Sequence, residues 1–325
     1  MTLCAAWIRA VGKTRELIVA SDSRLSGGIR WDGCPKIMTF SRSDFVICFA
    51  GNTVDAYPFM LQVNYAIENY FKAASGALDV TELSGHVVRI FNGMRQQVSL
   101  ETEKPDVKFI LAGYSWKKKA FRIYTMVFCD GKFQIRRESK CVFIGDEVPC
   151  AKKRLKTLLL SRGKIISPNN VTADKDSAAD LQCRLNFLKL LKKRAYLMQR
   201  ATGKRHLLAK EHVRRAFRVA RHNKGFVFSL DYEPFEILRD IIKEEISPYI
   251  GGPPQLLKIY EHMNCVPYGV YWPDVTSDQI SLFGRRLLDY EKTRYIVIDP
   301  NTLTTFEFKG KLTPRRYARL ARLPK

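Results

Sequence analysis

Ala20-Ser21-Asp22-Ser23-Arg24-Leu25-Ser26-Gly27-Gly28, followed by Cys34-Pro35-Lys36-Ile37, is the stretch whose reading settles the fold. The run entering it, Glu16 to Asp22 (Glu-Leu-Ile-Val-Ala-Ser-Asp), is short and apolar at its centre, which predicts a strand ending on an acid. Gly27-Gly28 then breaks it. Lys36 stands fourteen residues beyond Asp22, far enough for the chain to turn back towards the start of the first strand. There Asp22 would hold the Lys36 ammonium charged and oriented. Taken alone, an Asp and a Lys at strand ends are ordinary surface residues. Their meaning depends on what lies before and after them.

Before them lies Met1-Thr2. Thr2 is small, so removal of Met1 is expected, and no long leader precedes it. A freed Thr2 would carry a hydroxyl and an α-amine on one residue. An α-amine ordinarily titrates at about 7.7–8.0 and can act as a base near neutral pH. A threonine hydroxyl is a weak nucleophile that needs such a base. A nearby Lys36 ammonium would lower the amine's pKa and ease proton transfer. After the decisive stretch comes Cys48-Phe49-Ala50-Gly51-Asn52-Thr53-Val54-Asp55. A glycine between a strand and a helix presents an N–H near a helix N-terminus, a donor suited to an oxyanion.

Further out, strands are predicted from Thr2 to Ala10, Lys36 to Phe40 and Asp44 to Gly51, with a turn at 11–15. Helices are predicted over Thr53–Phe71, with Val54, Tyr57, Leu61, Ile67 and Tyr70 as the apolar face, and over Val80–Val98. Strands resume at Val107–Gly113, Ala120–Phe128, Lys132–Arg137 and Cys141–Gly145, then a helix from about Glu147 to Leu160. A polar linker is read at Asn169–Ala179, two basic helices at Leu181–His222, a helix at Glu233–Glu245, and a late strand set from Pro254 to Phe308. Strands, helices, strands and helices in this order predict an α+β chain, two packed sheets covered by helices on both outer faces.

The ordered set Thr2, Asp22-x-Arg24-x-Ser26, Lys36 and Ala50-Gly51-x-x-x-Asp55 resembles proteasome β subunits and the bacterial ATP-dependent peptidase related to them. These are N-terminal-nucleophile hydrolases. The resemblance covers roughly residues 2–160 and 230–300 and returns at Ser247-Pro-Tyr-Ile-Gly-Gly-Pro-Pro-Gln. It implies a four-layer αββα sandwich interrupted by a basic helical insertion at 165–228 and ending in a basic tail at 309–325. It implies Thr2 as nucleophile, Asp22 and Lys36 as its charged partners, and Gly51 as the oxyanion donor. Asp146 and Ser247 match the two groups that support the terminal amine, with their residue types exchanged. By the same resemblance Leu25, Cys34, Phe49 and Thr53 line the pocket for the residue before the cut. Arg24, Ser26 and Asn52 lie along the extended substrate, which would pair its backbone beside Ser26 and Gly51. The expected activity is peptide hydrolysis with no cofactor. The expected assembly is a homo-oligomeric ring, with an unfolding ATPase as a further partner the resemblance allows.

Charge and cysteines bound the alternatives. The formal charge is +23, and +20 of it sits in two segments, Arg184–Lys224 and Lys309–Lys325. The first interleaves Leu188, Leu191, Leu197, Leu207, Leu208, Val213 and Phe217 with its cations. Such a segment can contact nucleic-acid phosphates, dock on an acidic partner, or be a solvated hairpin. Two rival classes therefore stand beside the peptidase: a catalytically inactive scaffold and a nucleic-acid-binding protein. The eight cysteines include no C-x-x-C pair and are read as small buried hydrophobes in a reducing compartment. No stretch approaches the roughly 20 apolar residues that span a bilayer, and the start is no signal peptide. The expected location is the cytoplasm.

Overall fold

A computed structural model describes residues 2–11, 14–27, 29–98, 104–162, 165–166, 226–227, 230–277, 279–288, 290–291 and 296–307. The chain divides into two compact units, Met1–Lys152 with Pro234–Lys325, and Lys153–Glu233. It is of mixed α+β class, and among the described residues its ladders are antiparallel apart from the parallel pairing of Gly269 with Val297 and Val270 with Ile298.

The first unit opens with β1 (Leu3–Val11), β2 (Thr14–Ser21), β3 (Arg24–Gly27), β4 (Ile29–Asp32), β5 (Ile37–Thr39) and β6 (Phe45–Gly51). Helices α1 (Thr53–Asn69), α2 (Phe71–Ala74) and α3 (Val80–Arg95) follow. Then come β7 (Val107–Ser115), β8 (Ala120–Cys129), β9 (Lys132–Glu138) and β10 (Cys141–Gly145), and α4 (Val148–Ser161), which runs across the boundary at residues 152–153. The second unit holds β11 (Ile165–Ile166) and β12 (Phe226–Val227). After α5 (Glu233–Lys243) the late strands are β13 (Gln255–Tyr260), β14 (Cys265–Tyr271), β15 (Ile280–Leu282), β16 (Arg285–Arg286), β17 (Ile296–Ile298) and β18 (Thr305–Glu307).

Two sheets organise the first unit. One runs β10-β1-β2-β13-β14-β15-β16, with β17 and β18 attached through β14; the other runs β5-β6-β7-β8-β9. One apolar cluster joins Cys4, Ala6, Leu17, Val19 and Leu257 of the first sheet to Val46, Cys48, Ile110 and Ile123 of the second. The alternate residues of the second sheet, Phe45, Ile47, Phe49, Phe109 and Leu111, join a second cluster with α1 and α3. β6 and β7 of the five-stranded sheet are thus buried on both faces, which is why they read as nearly continuous apolar runs, whereas the edge strand β9 is largely exposed. In β1 and β2 the outward alternates Leu3, Ala5, Trp7, Ile18 and Ala20 are equally buried.

Helix starts follow local chemistry. The Asn52 side chain accepts from Val54 N–H at 3.0 Å, and Asp79 with Glu82 forms a reciprocal capping box. The face of α1 differs from the expected one. Its buried residues are Ala56, Phe59, Met60, Val63 and the expected Ile67, and the expected Tyr57 packs against the same cluster, whereas Val54, Leu61 and Tyr70 are exposed. Both rows repeat at helical spacing. The side that faces Phe91, Phe109 and Phe133 wins because Phe59 lies within aromatic contact of all three. The β3–β4 hairpin, with Leu25 opposite Trp31, was not expected from sequence, because Gly27-Gly28 read as a plain break. Cys129 is exposed, and Cys141, Cys150 and Cys265 are half-buried, so among the described cysteines burial holds fully for Cys4, Cys34 and Cys48, and Cys183 lies outside the described residues. No helix among the described residues is long and apolar enough to cross a membrane.

In the second unit Ile165 pairs with Val227 and Ile166 with Phe226. The expected linker, the basic helices between these strands and the basic tail lie outside the described residues. The ladder nonetheless brings the two ends of segment 167–225 side by side, so closing the gap with a short loop costs little chain entropy. Deletion of 180–224 is expected to leave the melting temperature within a few degrees of the full chain. Scanning calorimetry and circular dichroism check this, and an unfolded truncation would make the segment core structure.

Candidate active site

Backbone pairing assembles the site. β1 lies between β2 and β10, with Cys4 opposite Ser21 and Leu3 opposite Gly145. Thr2 therefore stands between the C-terminal ends of two strands, where Asp22 and Asp146 follow. Both connections are fixed by the backbone: Asp22 N–H donates to the Leu3 carbonyl at 3.3 Å and Asp146 N–H to the Thr2 carbonyl at 3.1 Å. Gly145 permits the approach. Its φ is +118° and a Cβ there would overlap the Thr2 carbonyl oxygen, so no other residue fits without displacing Thr2.

Thr2, Asp22 and Lys36 are each at most 1% exposed. Lys36 Nζ lies 2.5 Å from Thr2 Oγ1 and 3.0 Å from each Asp22 carboxylate oxygen. Its three donors thus have three acceptors. Asp22 also accepts from Leu3 N–H at 3.1 Å, Arg24 N–H at 3.2 Å and Gly251 N–H at 3.2 Å. A buried carboxylate is tolerable only with such full satisfaction. Thr2 N–H donates to Asp146 Oδ2 at 3.0 Å. The structure therefore brings together four of the six expected catalytic residues through direct bonds: Thr2, Asp22, Lys36 and Asp146.

The remaining two sit as follows. Gly51 ends β6 at φ +125°, where a Cβ would overlap the Asp106 carbonyl oxygen, and Asn52 N–H donates to that carbonyl at 2.7 Å. Ser247 is buried, and its Oγ accepts from Tyr249 N–H at 3.4 Å. Its turn serves the site indirectly, because the Pro248 and Ile250 carbonyls accept from Arg24 at 3.1 and 3.4 Å.

Among the residues expected along the substrate, Arg24 is engaged inside the fold. Its guanidinium grips Asp32 at 2.6 and 3.0 Å and holds the Asp32 carboxyl below the ordinary carboxylate range. Leu25 packs on the helix-facing cluster and Phe49 is wholly buried in it. Cys34 is buried, and that burial pushes its thiol up. Asn52 is exposed; Ser26 and Thr53 are half-buried. Tyr57 joins this group without having been expected there. Its ring meets Phe49 edge-on at 5.3 Å, its hydroxyl donates to the Pro35 carbonyl at 3.1 Å, and burial raises it to about 12. Gln255 was also missed, although a polar residue opening the apolar strand Gln-Leu-Leu-Lys-Ile-Tyr is a visible anomaly. Among the described residues no three His, Cys, Asp or Glu side chains gather as a metal site.

The chain matches no protein-family model, and no curated protein matches it.

Proposed function

We propose that the chain is a threonine peptidase of the N-terminal-nucleophile type, working from Thr2 after Met1 is removed. The observation that carries this reading is the buried hydroxyl of Thr2, 2.5 Å from an ammonium that Asp22 holds in place. The ammonium stabilises the alkoxide as the proton leaves, in a site where water does not screen the interaction. Thr2 Oγ attacks the peptide carbonyl while the freed α-amine, directly or through water, accepts the hydroxyl proton. The oxyanion forms against the Gly51 N–H. The C–N bond breaks, the leaving amine takes the proton, and water hydrolyses the Thr2 ester. The four-layer αββα arrangement belongs to this reading. Its support is the burial of the outward alternates of β1 and β2, which need a covering layer on that face. Cytoplasmic location, a closed ring of identical subunits and contact of the basic segments with an acidic partner or nucleic acid are parts of the same proposal.

The direct test is N-terminal sequencing together with mapping of a sulfonyl fluoride adduct by mass spectrometry. Thr2 should be the first residue, and the adduct should sit on it. Retained Met1, or an adduct elsewhere, would sink the reading.

Asp146 makes the pH dependence specific. The freed amine would have a carboxylate against the nitrogen itself, while Lys36 touches the hydroxyl. The carboxylate favours the charged ammonium and so raises the amine's pKa. The base form then appears only as pH rises. Asp146→Asn removes that stabilisation, so the acidic limb of kcat is expected to move to lower pH. A limb that stays in place would remove Asp146 from this role.

A further inference from the structure

Gln255 opens β13 and pairs with Ser21 of β2. Its side chain is fully buried. The carboxamide oxygen accepts from Lys36 N–H at 3.0 Å and Ile37 N–H at 3.3 Å. The carboxamide nitrogen donates to the Cys34 carbonyl at 2.7 Å and the Asp22 carbonyl at 3.3 Å. A primary amide offers two donor hydrogens and two acceptor positions, and here each has a partner. The partners also fix its orientation, since the flipped amide would set its NH2 against N–H groups and its oxygen against carbonyls.

The four bonded groups come from two stretches that the ladders leave apart. β2 ends at Ser21 and β5 begins at Ile37, so Asp22 and Lys36 both lie just outside regular pairing. Pro35 has no N–H to offer. The Ser23 carbonyl accepts from Gly33 and Cys34 N–H at 3.1 and 3.0 Å, which anchors the base of the hairpin, and the Lys36 carbonyl accepts from Phe49 N–H at 3.2 Å, which leaves the Lys36 N–H to be placed by another group. Gln255, from a third strand, binds that peptide and the Asp22 peptide at once.

We infer that Gln255 is a positioning residue for the proposed reaction: its carboxamide sets the backbone of Lys36 against that of Asp22, and so the seat of the ammonium over Thr2 Oγ. The inference rests on the peptidase reading. A purely packing role would affect stability and leave the reactivity of Thr2 unchanged. Loss of the buried bonds lowers stability under either role; a positioning role also lowers the reactivity of Thr2, because a displacement of about 1 Å at a reacting centre costs on the order of 10²-fold in rate.

The test compares wild type, Gln255→Met and Gln255→Glu in the full chain. Met keeps the length and removes all four bonds; Glu keeps the shape and both acceptor contacts but, even with its buried carboxyl protonated against the two carbonyls, loses at least one of the two donor contacts. Two rates are read. One is turnover of an apolar fluorogenic peptide, resolved into kcat and KM. The other is sulfonylation of Thr2 by phenylmethylsulfonyl fluoride, in which Oγ bonds to sulfur, fluoride leaves and the hydroxyl proton passes to the base. Intact mass follows the second rate without any peptide-binding step. In Gln255→Met, kcat and sulfonylation are expected to fall together by about 10²-fold with KM nearly unchanged, and Gln255→Glu is expected to lie between it and wild type. Wild-type rates in a folded Gln255→Met overturn the inference while the peptidase reading stands. If Gln255→Met does not fold, Gln255→Glu carries the test, and wild-type rates in it overturn the inference equally. If wild type neither turns over peptide nor is modified at Thr2, the peptidase reading fails and the inference falls with it.

Discussion

Lys36→Met is expected to abolish peptide hydrolysis and to lower the unfolding free energy by about 3–5 kcal/mol, the cost of leaving one member of a buried ion pair alone. The geometry behind both effects is the same. Lys36 and Asp22 have no exposed side-chain surface, so water cannot replace the missing ammonium. Asp22 keeps its three backbone donors, but its charge is no longer compensated. Met has nearly the length and volume of Lys, so little cavity forms and the loss is electrostatic. Hydrolysis fails because the Thr2 hydroxyl loses the cation 2.5 Å away that stabilises it as it ionises. Chemical denaturation and a fluorogenic peptide assay measure the two quantities. A Lys36→Met protein as stable as wild type would mean that the buried pair is not formed, and retained turnover would mean that Lys36 is structural only.

Thr2→Ala is expected to separate the two effects. Loss of the nucleophile should reduce kcat by about 10⁶-fold, the scale seen when a hydroxyl nucleophile is removed from an acyl-transfer site. Stability should change far less. Lys36 keeps both bonds to Asp22, and the deleted group is one hydrogen-bond partner of a charge, a loss of about 1.5–3 kcal/mol at most. Alanine is also small enough for Met1 to be removed, so the new N-terminus is directly comparable. Circular dichroism, denaturant midpoint and turnover together decide the matter. Undiminished turnover in a folded Thr2→Ala protein would remove Thr2 as nucleophile. A large loss of stability would show that the hydroxyl holds the site together.

The sequence by itself determined the elements and much of their order. Apolar runs of the right length marked strands such as β6 and β7, because both of their faces are buried. Apolar residues at helical spacing marked the helices from Thr53 and Val80, and the caps Asn52 and Asp79 at their starts are contacts within three residues. The set Thr2, Asp22, Lys36 and Gly51 stood out through its resemblance to a known family's order; local pattern alone placed each only at a strand end or turn. The tertiary structure decided which of the expected groups bond directly, and it added Gln255, which was not expected. The bond from Thr2 to Asp146 spans 144 positions and that from Lys36 to Gln255 spans 219. Such distances are bridged by strand register, and a slip of one residue would turn every side chain to the other face. The face of α1 likewise depended on Phe91, Phe109 and Phe133 arriving from elsewhere, since Val54, Tyr57 and Leu61 repeat as well as Ala56, Phe59 and Val63. The need for glycine at 145 came last of all, because it is set by the carbonyl of Thr2 on the neighbouring strand, and no residue near Gly145 in the chain announces it.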